Sequence, residues 1–504
     1  GGTWYWNRYP GIRCDIESYI YLPYLEETGY IPAERYVRGE EIFRYCQSLG
    51  EKFGLYDRAL FQTKIVSATW DDAACRWIVA TDRGDELRAR FVTTQSGIFS
   101  RPQLPGIAGI NDFKGCSFHS ARWNYDYTGG SVTEPLNKLC DKRVGIIGTG
   151  TTAIQVVPQV ARTAQSLTVF QRTPSAVGIR DNGPTDIAKF RAQPAGWQRA
   201  RVASFTQLAC REDVDTPLDD GWTRFFRSLI RAGQAIPEAE RTPEAVAVAE
   251  EMADFQYNEF VRNRVDQYVD DPDKAALLKA YYRFFCKRPG FSDDFLPAMN
   301  QDNVSLVDAS GGIERITVDG VVVDGVEYPL DCLIFCTGFE LGTTWVHQAG
   351  YDVTGRNGAR LSDKWAKGIV TYQGLFSRDF PNMFFLGLTQ TATTFNVTEM
   401  LEEQIEHVMA VVDHCRADGL RASRVCFRAG TRRRWRASRF LHLRVPAKPA
   451  LVVRSELHHL RAGRPVSRRR AARGSTPTTS RTRRRSSRCP PTCRRGCRSR
   501  RSRS

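Results

Sequence analysis

Lys142-Arg-Val-Gly-Ile-Ile-Gly148-Thr-Gly150-Thr-Thr-Ala153-Ile-Gln155 is the stretch on which the reading of this chain turns. Val144 to Gly148 is a tight apolar run of strand type. A Gly-rich turn follows, then an apolar helix from Thr152 to about Ala161 and a second strand from Leu167 to Gln171, which together make a βαβ unit. Gly148-Thr149-Gly150-Thr151-Thr152-Ala153 spells GxGxxA at the strand-to-helix turn. In that pattern the first Gly permits the tight turn and the second lets a pyrophosphate approach the backbone. The small third residue allows close helix-sheet packing, and the helix N-terminus faces the phosphates. The stretch is therefore read as a dinucleotide site. Its second strand ends Phe170-Gln171-Arg172-Thr173, where an NAD-binding protein usually presents an Asp or Glu to the ribose. An Arg there meets a 2′-phosphate instead, so NADPH is expected over NADH.

Outward from this unit, residues 1–135 alternate strand-like runs (Arg76 to Ala80, Phe91 to Gln95) with turn-rich loops and one helical stretch, Glu40 to Phe53. Residues 176–285 read as a helical insertion. Thr242-Pro243-Glu244 opens one helix to about Val265, and Asp271-Pro272 opens another to about Phe285. Strands return at Val304 to Val307, Gly320 to Val323, Leu333 to Cys336 and Met383 to Leu388. A last helix starts near Asn396, with Glu399 as capping-box partner and Leu401, Ile405, Val408 and Val412 on one face.

Charge divides the 504 residues in two. The net +16 combines 28 basic residues against one acidic, Glu456, in residues 421–504 with −11 (44 basic, 55 acidic) in residues 1–420. A basic nucleic-acid binder is excluded for the body and is open only for the tail. The tail is Arg-, Ser- and Pro-rich without apolar periodicity, so disorder is expected there. A reading-frame shift explains it better than a nucleic-acid-binding function. Fourteen cysteines are scattered without even spacing, as buried free thiols in a reducing compartment would be, and a cytoplasmic location is expected. The close group Cys489, Cys493 and Cys497 matches no common zinc spacing, so no metal is expected. No apolar run approaches the roughly 18 residues of a membrane span.

Phe113-Lys-Gly115-Cys-Ser-Phe-His119-Ser120-Ala-Arg-Trp123 precedes the nucleotide unit. It resembles the fingerprint FxGxxxHTxxWP of Baeyer-Villiger monooxygenases, flavoproteins that turn ketones into esters or lactones. Phe113, Gly115, His119 and Trp123 match, Ser120 replaces the Thr and Asn124 the Pro, and Arg122 to Gly130 is similar to the RWDYDYTGG variant of that family. The resemblance runs from residue 1 to about residue 416. Gly1 to Ser18 looks like the family's flavin-contacting loop, Cys286-Lys287-Arg288-Pro289 like its Lys-Arg pair, Cys336 to Glu340 like its ATG-type motif, and Phe380-Pro-Asn-Met-Phe like its late GFPN segment.

That resemblance implies an NADPH- and O2-dependent oxidation of a ketone through a C4a-peroxyflavin, with FAD and NADPH as cofactors. It assigns Thr3, Trp4, Tyr5, Trp6, Asp15, Tyr21 and Ile65 to FAD, with Asn396 and Val397 bordering the isoalloxazine. Arg13, Cys14, Asp15, Gly148 to Gln155 (including Ile154), Arg172, Thr173 and Lys287 go to NADP. Arg288 matches the arginine facing the reacting flavin position, and Asp15 the carboxylate that orients it; these are the catalytic expectations. The family's first GxGxxG unit has no counterpart before Gly1, so a chain lacking part of its FAD cradle is expected. An N- or S-oxygenating flavin monooxygenase and an inactive fragment with a nucleic-acid-binding tail are the alternatives. The expected fold is α/β, with two Rossmann-like dinucleotide-binding domains. Residues 1–135 and 336–420 form the FAD domain and residues 136–335 the NADPH domain, with the insertion at 176–285 and the tail at 421–504.

Overall fold

The computed structural model describes residues 2–390 and 395–420; the expectations for the tail, its cysteines included, lie outside them. Five parallel strands form the central sheet: β1 (Cys116–His119), β2 (Arg143–Ile147), β3 (Ser166–Gln171), β4 (Val304–Asp308) and β5 (Cys332–Phe335), in the order β4-β3-β2-β5-β1. Val144, Ile146, Leu167 and Val169, all at 0% exposure, show why these runs read as continuously apolar, since a parallel sheet is covered on both faces. Helix α1 (Thr151–Ala161) covers one face through Ala153, Val156, Val157 and Val160. β1 lies before residue 136 and pairs with β5 in register Cys116↔Cys332 to His119↔Phe335.

The insertion holds α2 (Trp197–Ala209), α3 (Gly221–Gln234) and α4 (Pro243–Tyr268), with shorter helices at Ile187–Arg191 and Pro272–Leu278. The Thr242 hydroxyl caps α4 by accepting from the Ala245 amide, as the Thr-Pro-Glu pattern predicts. The helix expected from Asp271 to Phe285 stops at Leu278 instead. Beyond it the chain unwinds so that Phe284 and Phe285 pack on Phe225, at ring distances of 4.7 and 4.6 Å, and the Phe284 amide donates to Asp254. Aromatic burial of roughly 1.5–3 kcal/mol per side chain outweighs two more turns of helix. A two-residue parallel ladder, Val177–Gly178 with Gly290–Phe291, clasps the two ends of the insertion.

Outside the central sheet lie a four-stranded sheet in the order Asp352–Thr354, Ile65–Asp71, Arg76–Thr81, Glu86–Ala89, a three-stranded antiparallel sheet of Arg315–Ile316, Gly320–Val323 and Val326–Pro329, and a parallel pair, Val92–Thr94 with Met383–Phe385. The last helix, α5 (Val397–Ala417), begins where expected, but Glu399 makes no capping box. Its carboxylate meets the Thr206 hydroxyl on α2, and burial raises its pKa to about 7. The buried face of α5 is also rotated from the expected one, to Gln404, Val408, Val411, Val412 and Cys415, leaving Ile405 48% exposed. Among the described residues no helix is long and apolar enough to cross a membrane.

Candidate active site

At the end of β2 the GxGxxA turn has the backbone its sequence requires. Gly148 sits at φ +105°, and a Cβ there would lie 2.6 Å from the Cys336 carbonyl oxygen. Gly150 caps α1, and the space a Cβ would take is open to 4 Å. That combination leaves a backbone surface at a helix N-terminus onto which a diphosphate fits. Ala153, at 0% exposure, lets α1 close on the sheet, and Thr149 Oγ1 donates to the Thr173 carbonyl at 3.0 Å. Gln155 Oε1 accepts from the Arg13 amide at 2.9 Å, which holds the Arg13-Cys14-Asp15 segment against the same helix.

Beyond β3, Lys287 Nζ donates to the carbonyls of Thr173 and Pro174 at 3.0 and 3.3 Å. Burial and the positive charge of Arg172 both lower the Lys287 pKa. Two cations thus converge beside the end of β3, where the sequence places a 2′-phosphate. Arg180, which sequence reasoning missed, is a further cation, within the fields of Asp15 and Arg13. It is 8% exposed, burial lowers its pKa, and its Nε and Nη2 have no hydrogen-bond partner among the described residues. It lines a cavity of about 220 Å³ together with Gly11, Arg13, Arg38 and Gln155. A buried guanidinium with idle N–H groups is a mark of a site built for an anion. The signal available in the sequence was only a lone Arg between apolar and turn residues.

Arg288 and Asp15 are 273 residues apart and meet as the sequence reading requires: Arg288 Nη2 lies 2.8 Å from both carboxylate oxygens. The attraction of Asp15 raises the Arg288 pKa above its ordinary value, so the guanidinium is a fixed positive charge. The side chain of Asp15 is 13% exposed and that of Arg288 47%, so the pair is anchored at the carboxylate and open at the arginine.

Of the residues assigned to FAD, Trp4 and the Asn396-Val397 start of α5 meet at Tyr21. Trp4, in the short helix Thr3–Trp6, donates its indole N–H to Tyr21 Oη at 3.0 Å, and burial raises the Tyr21 pKa. Thr398 Oγ1, in the first turn of α5, lies 3.0 Å from the Tyr21 carbonyl and 2.7 Å from Asn396 Oδ1, which draws Asn396 and Val397 to the same place. Tyr5 and Trp6 are 37% and 40% exposed, with Arg122 stacked 4.3 Å from the Trp6 ring. Ile65 opens the antiparallel strand Ile65–Asp71 and is 39% exposed.

The fingerprint residues form a strut. A Cβ on Gly115 would meet the Phe113 ring at 2.5 Å and the Asp331 carbonyl at 2.6 Å, so glycine is required where β1 enters the sheet. His119 ends β1, its Nδ1 accepts from the Ala121 amide, and burial pushes its pKa down to about 4, keeping the ring neutral. Its ring lies 5.8 Å from Phe339, which packs 5.2 Å from Phe99, whose carbonyl accepts from Asn7 of the flavin-side loop. Trp123 donates to Thr128 Oγ1 at 3.0 Å. These residues join the nucleotide sheet to the flavin-side loop.

The family model described as flavin-binding monooxygenase-like matches residues 27–208. Neopentalenolactone D synthase of Streptomyces avermitilis is 48% identical over 418 residues, 82% of this chain and 70% of that protein. A Baeyer-Villiger monooxygenase of Streptomyces coelicolor is 47% identical over 425 residues, 83% and 70% of the two chains. Among solved structures, the polycyclic ketone monooxygenase of Thermothelomyces thermophila superimposes with a TM-score of 0.77 at 41% identity, covering 84% of this chain and 71% of that one. OTEMO in complex with FAD and NADP gives 0.69 at 30%, covering 84% and 80%. The chain belongs to the Baeyer-Villiger monooxygenase family.

Proposed function

We propose that this protein is an NADPH- and O2-dependent monooxygenase that converts a ketone to an ester or lactone, with the residue roles that follow. The carrying observation is the ion pair of Arg288 with both oxygens of Asp15, one residue from the lysine that borders the nucleotide turn. FAD, when bound, would supply the redox chemistry that links two-electron oxidation of NADPH to O2, one oxygen atom entering the ketone and the other leaving as water. Thr3 to Trp6, Asp15, Tyr21, Asn396 and Val397 would hold it, with Ile65 at the periphery. Gly148 to Gln155, Arg13 to Asp15, Arg172, Thr173 and Lys287 would hold NADPH, with Arg180 as a further cation.

Arg288 presents permanent positive charge to oxygen that becomes negative during transfer. A lysine could lose its proton there, and an arginine does not. Asp15 fixes the guanidinium by charge-assisted hydrogen bonds, so little reorganisation remains when charge develops. His119, neutral and buried, holds the junction of the sheet and the flavin-side loop and supplies no proton.

An arginine so placed favours ketone over heteroatom oxygenation, because it stabilises an anion rather than a protonated oxidant. The scattered, unevenly spaced cysteines of the sequence support a cytoplasmic location. Nucleic acid would be a partner only through the basic residues beyond 420. The test is Arg288→Ala, assayed for bound flavin, its reduction by NADPH and ester formation. Flavin reduction should persist while ester formation falls at least a hundredfold. Unchanged ester yield rejects the role of Arg288, and absence of ketone-dependent NADPH consumption in the wild type rejects the function.

A further inference from the structure

Trp222 stands in the second position of α3, inside the insertion, and touches both members of the Arg288-Asp15 pair. Its Nε1 donates to the Asp15 backbone carbonyl at 2.8 Å. Its ring lies 5.2 Å from the Arg288 guanidinium carbon, within cation-π range. We infer that Trp222 is a positioning residue of the oxygenation site, holding the Asp15 backbone with its indole N–H and seating the Arg288 guanidinium on its ring. This rests on the function proposed above.

The surroundings of Trp222 are built to immobilise it. It is 1% exposed, and its ring lies 6.0 Å from Phe285 at 13° between planes, 4.8 Å from Phe395 and 5.0 Å from Phe291. Gly221 makes room for this, since a Cβ there would lie 2.1 Å from the Phe291 ring. The N-terminus of α3 is fixed by a capping box. The Asp220 carboxylate accepts from the Thr223 amide at 2.7 Å, and the Thr223 hydroxyl accepts from the Asp220 amide at 2.9 Å.

Asp15 constrains one edge of the guanidinium through Nη2, but an arginine held at one edge still swings about that contact. Half of its side chain is exposed, and no other hydrogen bond holds this guanidinium among the described residues. A ring face on which the flat cation lies removes that freedom, and an N–H to the Asp15 carbonyl prevents the anchor itself from drifting. Charge stabilisation in a transition state depends on donors already placed, so the loss of either contact is felt in oxygen transfer and not in hydride transfer.

The experiment uses the full chain with two substitutions, Trp222→Phe, which keeps a ring and loses the N–H, and Trp222→Leu, which loses both. The first readout needs no turnover: the rate at which phenylglyoxal modifies Arg288, followed by peptide mass spectrometry with Arg143, paired to Asp331 in the sheet, as reference. Arg288 should react about tenfold faster in Trp222→Leu and twofold to threefold faster in Trp222→Phe, with Arg143 unchanged. An Arg288 rate unchanged in Trp222→Leu overturns the proposal. So does equal acceleration at Arg143, which would make Trp222 a residue of general stability.

The second readout is ester formed per NADPH consumed. It should fall about tenfold in Trp222→Leu with flavin reduction within twofold, and Trp222→Leu should do little further harm when Arg288 is already Lys. Additive losses in that double variant overturn the proposal. If the wild type forms no ester but Arg288 still responds to Trp222, the functional reading fails and the positioning stands; the reverse pattern separates them the other way.

Discussion

Replacing Arg172 or Lys287 tests the cofactor preference in a way the structure makes quantitative. The two cations crowd each other: the charge of Arg172, together with burial, depresses the Lys287 pKa. Lys287 spends two N–H groups on the Thr173 and Pro174 carbonyls and keeps one. A 2′-phosphate both relieves that repulsion and accepts the remaining donors. A hydrogen bond to a charged group contributes about 1.5–3 kcal/mol, the lower figure applying to exposed Arg172 and the higher to half-buried Lys287. Arg172→Ala should therefore weaken NADPH about tenfold and Lys287→Met about a hundredfold, with less than the product in the double variant because the two share one ligand group. NADH lacks the phosphate and should change less than threefold. The assay is flavin reduction kcat/KM with each cofactor. A lowered lysine pKa also sets a sign in pH: the ammonium is lost earlier than in an ordinary lysine, so the preference for NADPH should decay on the alkaline side in the wild type but not in Lys287→Met. Equal losses with NADPH and NADH in Arg172→Ala would refute the assignment and reduce Arg172 to a structural residue.

Two further outcomes are expected. Gly148→Ala combines a backbone angle of +105° that costs a side-chain-bearing residue about 1–3 kcal/mol with a Cβ placed 2.6 Å from the Cys336 carbonyl. Urea unfolding should show at least that destabilisation and NADPH titration a loss of ten times or more; a variant of wild-type stability and affinity would show that the turn tolerates a side chain. His119 is held neutral in the fold with a pKa of about 4 against an ordinary value of 6.5. Below pH 6.5 the unfolded chain takes up the proton and the folded chain does not, so His119 costs stability progressively as the pH falls toward 4, by at most about 3 kcal/mol. His119→Gln should flatten the decline of urea-derived stability over that interval, and an unaltered slope would show that the ring protonates in the folded state.

What was legible in the sequence was whatever the backbone itself demands. Gly148 and Ala153 announce their turn because the +105° angle and the close helix-sheet packing suit few other residues, Gly150 because a side chain would fill the space left open at the helix N-terminus, and Thr242-Pro243 announces a helix because the cap and the fixed proline angle act locally. Arg288 and Asp15 were legible only through a family resemblance, since nothing within ten residues of either indicates that they will meet. Trp222 and Arg180 were not legible at all. Each sits in a stretch whose composition reads as core or turn, and its importance comes from neighbours brought by tertiary packing. The same cause explains the shortened helix at Asp271. Local signals favour helix through Phe285, and the aromatic face of α3 draws Phe284 and Phe285 away from it. The edge position of β1 was hidden for a topological reason: it joins the sheet ahead of the strand that opens the βαβ unit, and sequence order does not reveal strand order.

The two-residue ladder between Val177–Gly178 and Gly290–Phe291 gives these pieces a mechanical logic. The insertion leaves the nucleotide domain four residues after Thr173 and returns two residues after Arg288, and the ladder binds both crossings together. Lys287 reaches across that clasp to the Thr173 and Pro174 carbonyls, while Arg288, its neighbour, turns to Asp15 and Trp222. Lys287 lies at a bend just before the clasp, and the two neighbouring cations leave the chain toward different partners. A displacement of the insertion would then move both together. An insertion with only a substrate-selecting role would not need Arg288 at its exit, nor a tryptophan of its own against that arginine. Trp222 inside the helical block and Arg288 at its exit, in contact with each other, tie the reach of Arg288 to how that block seats.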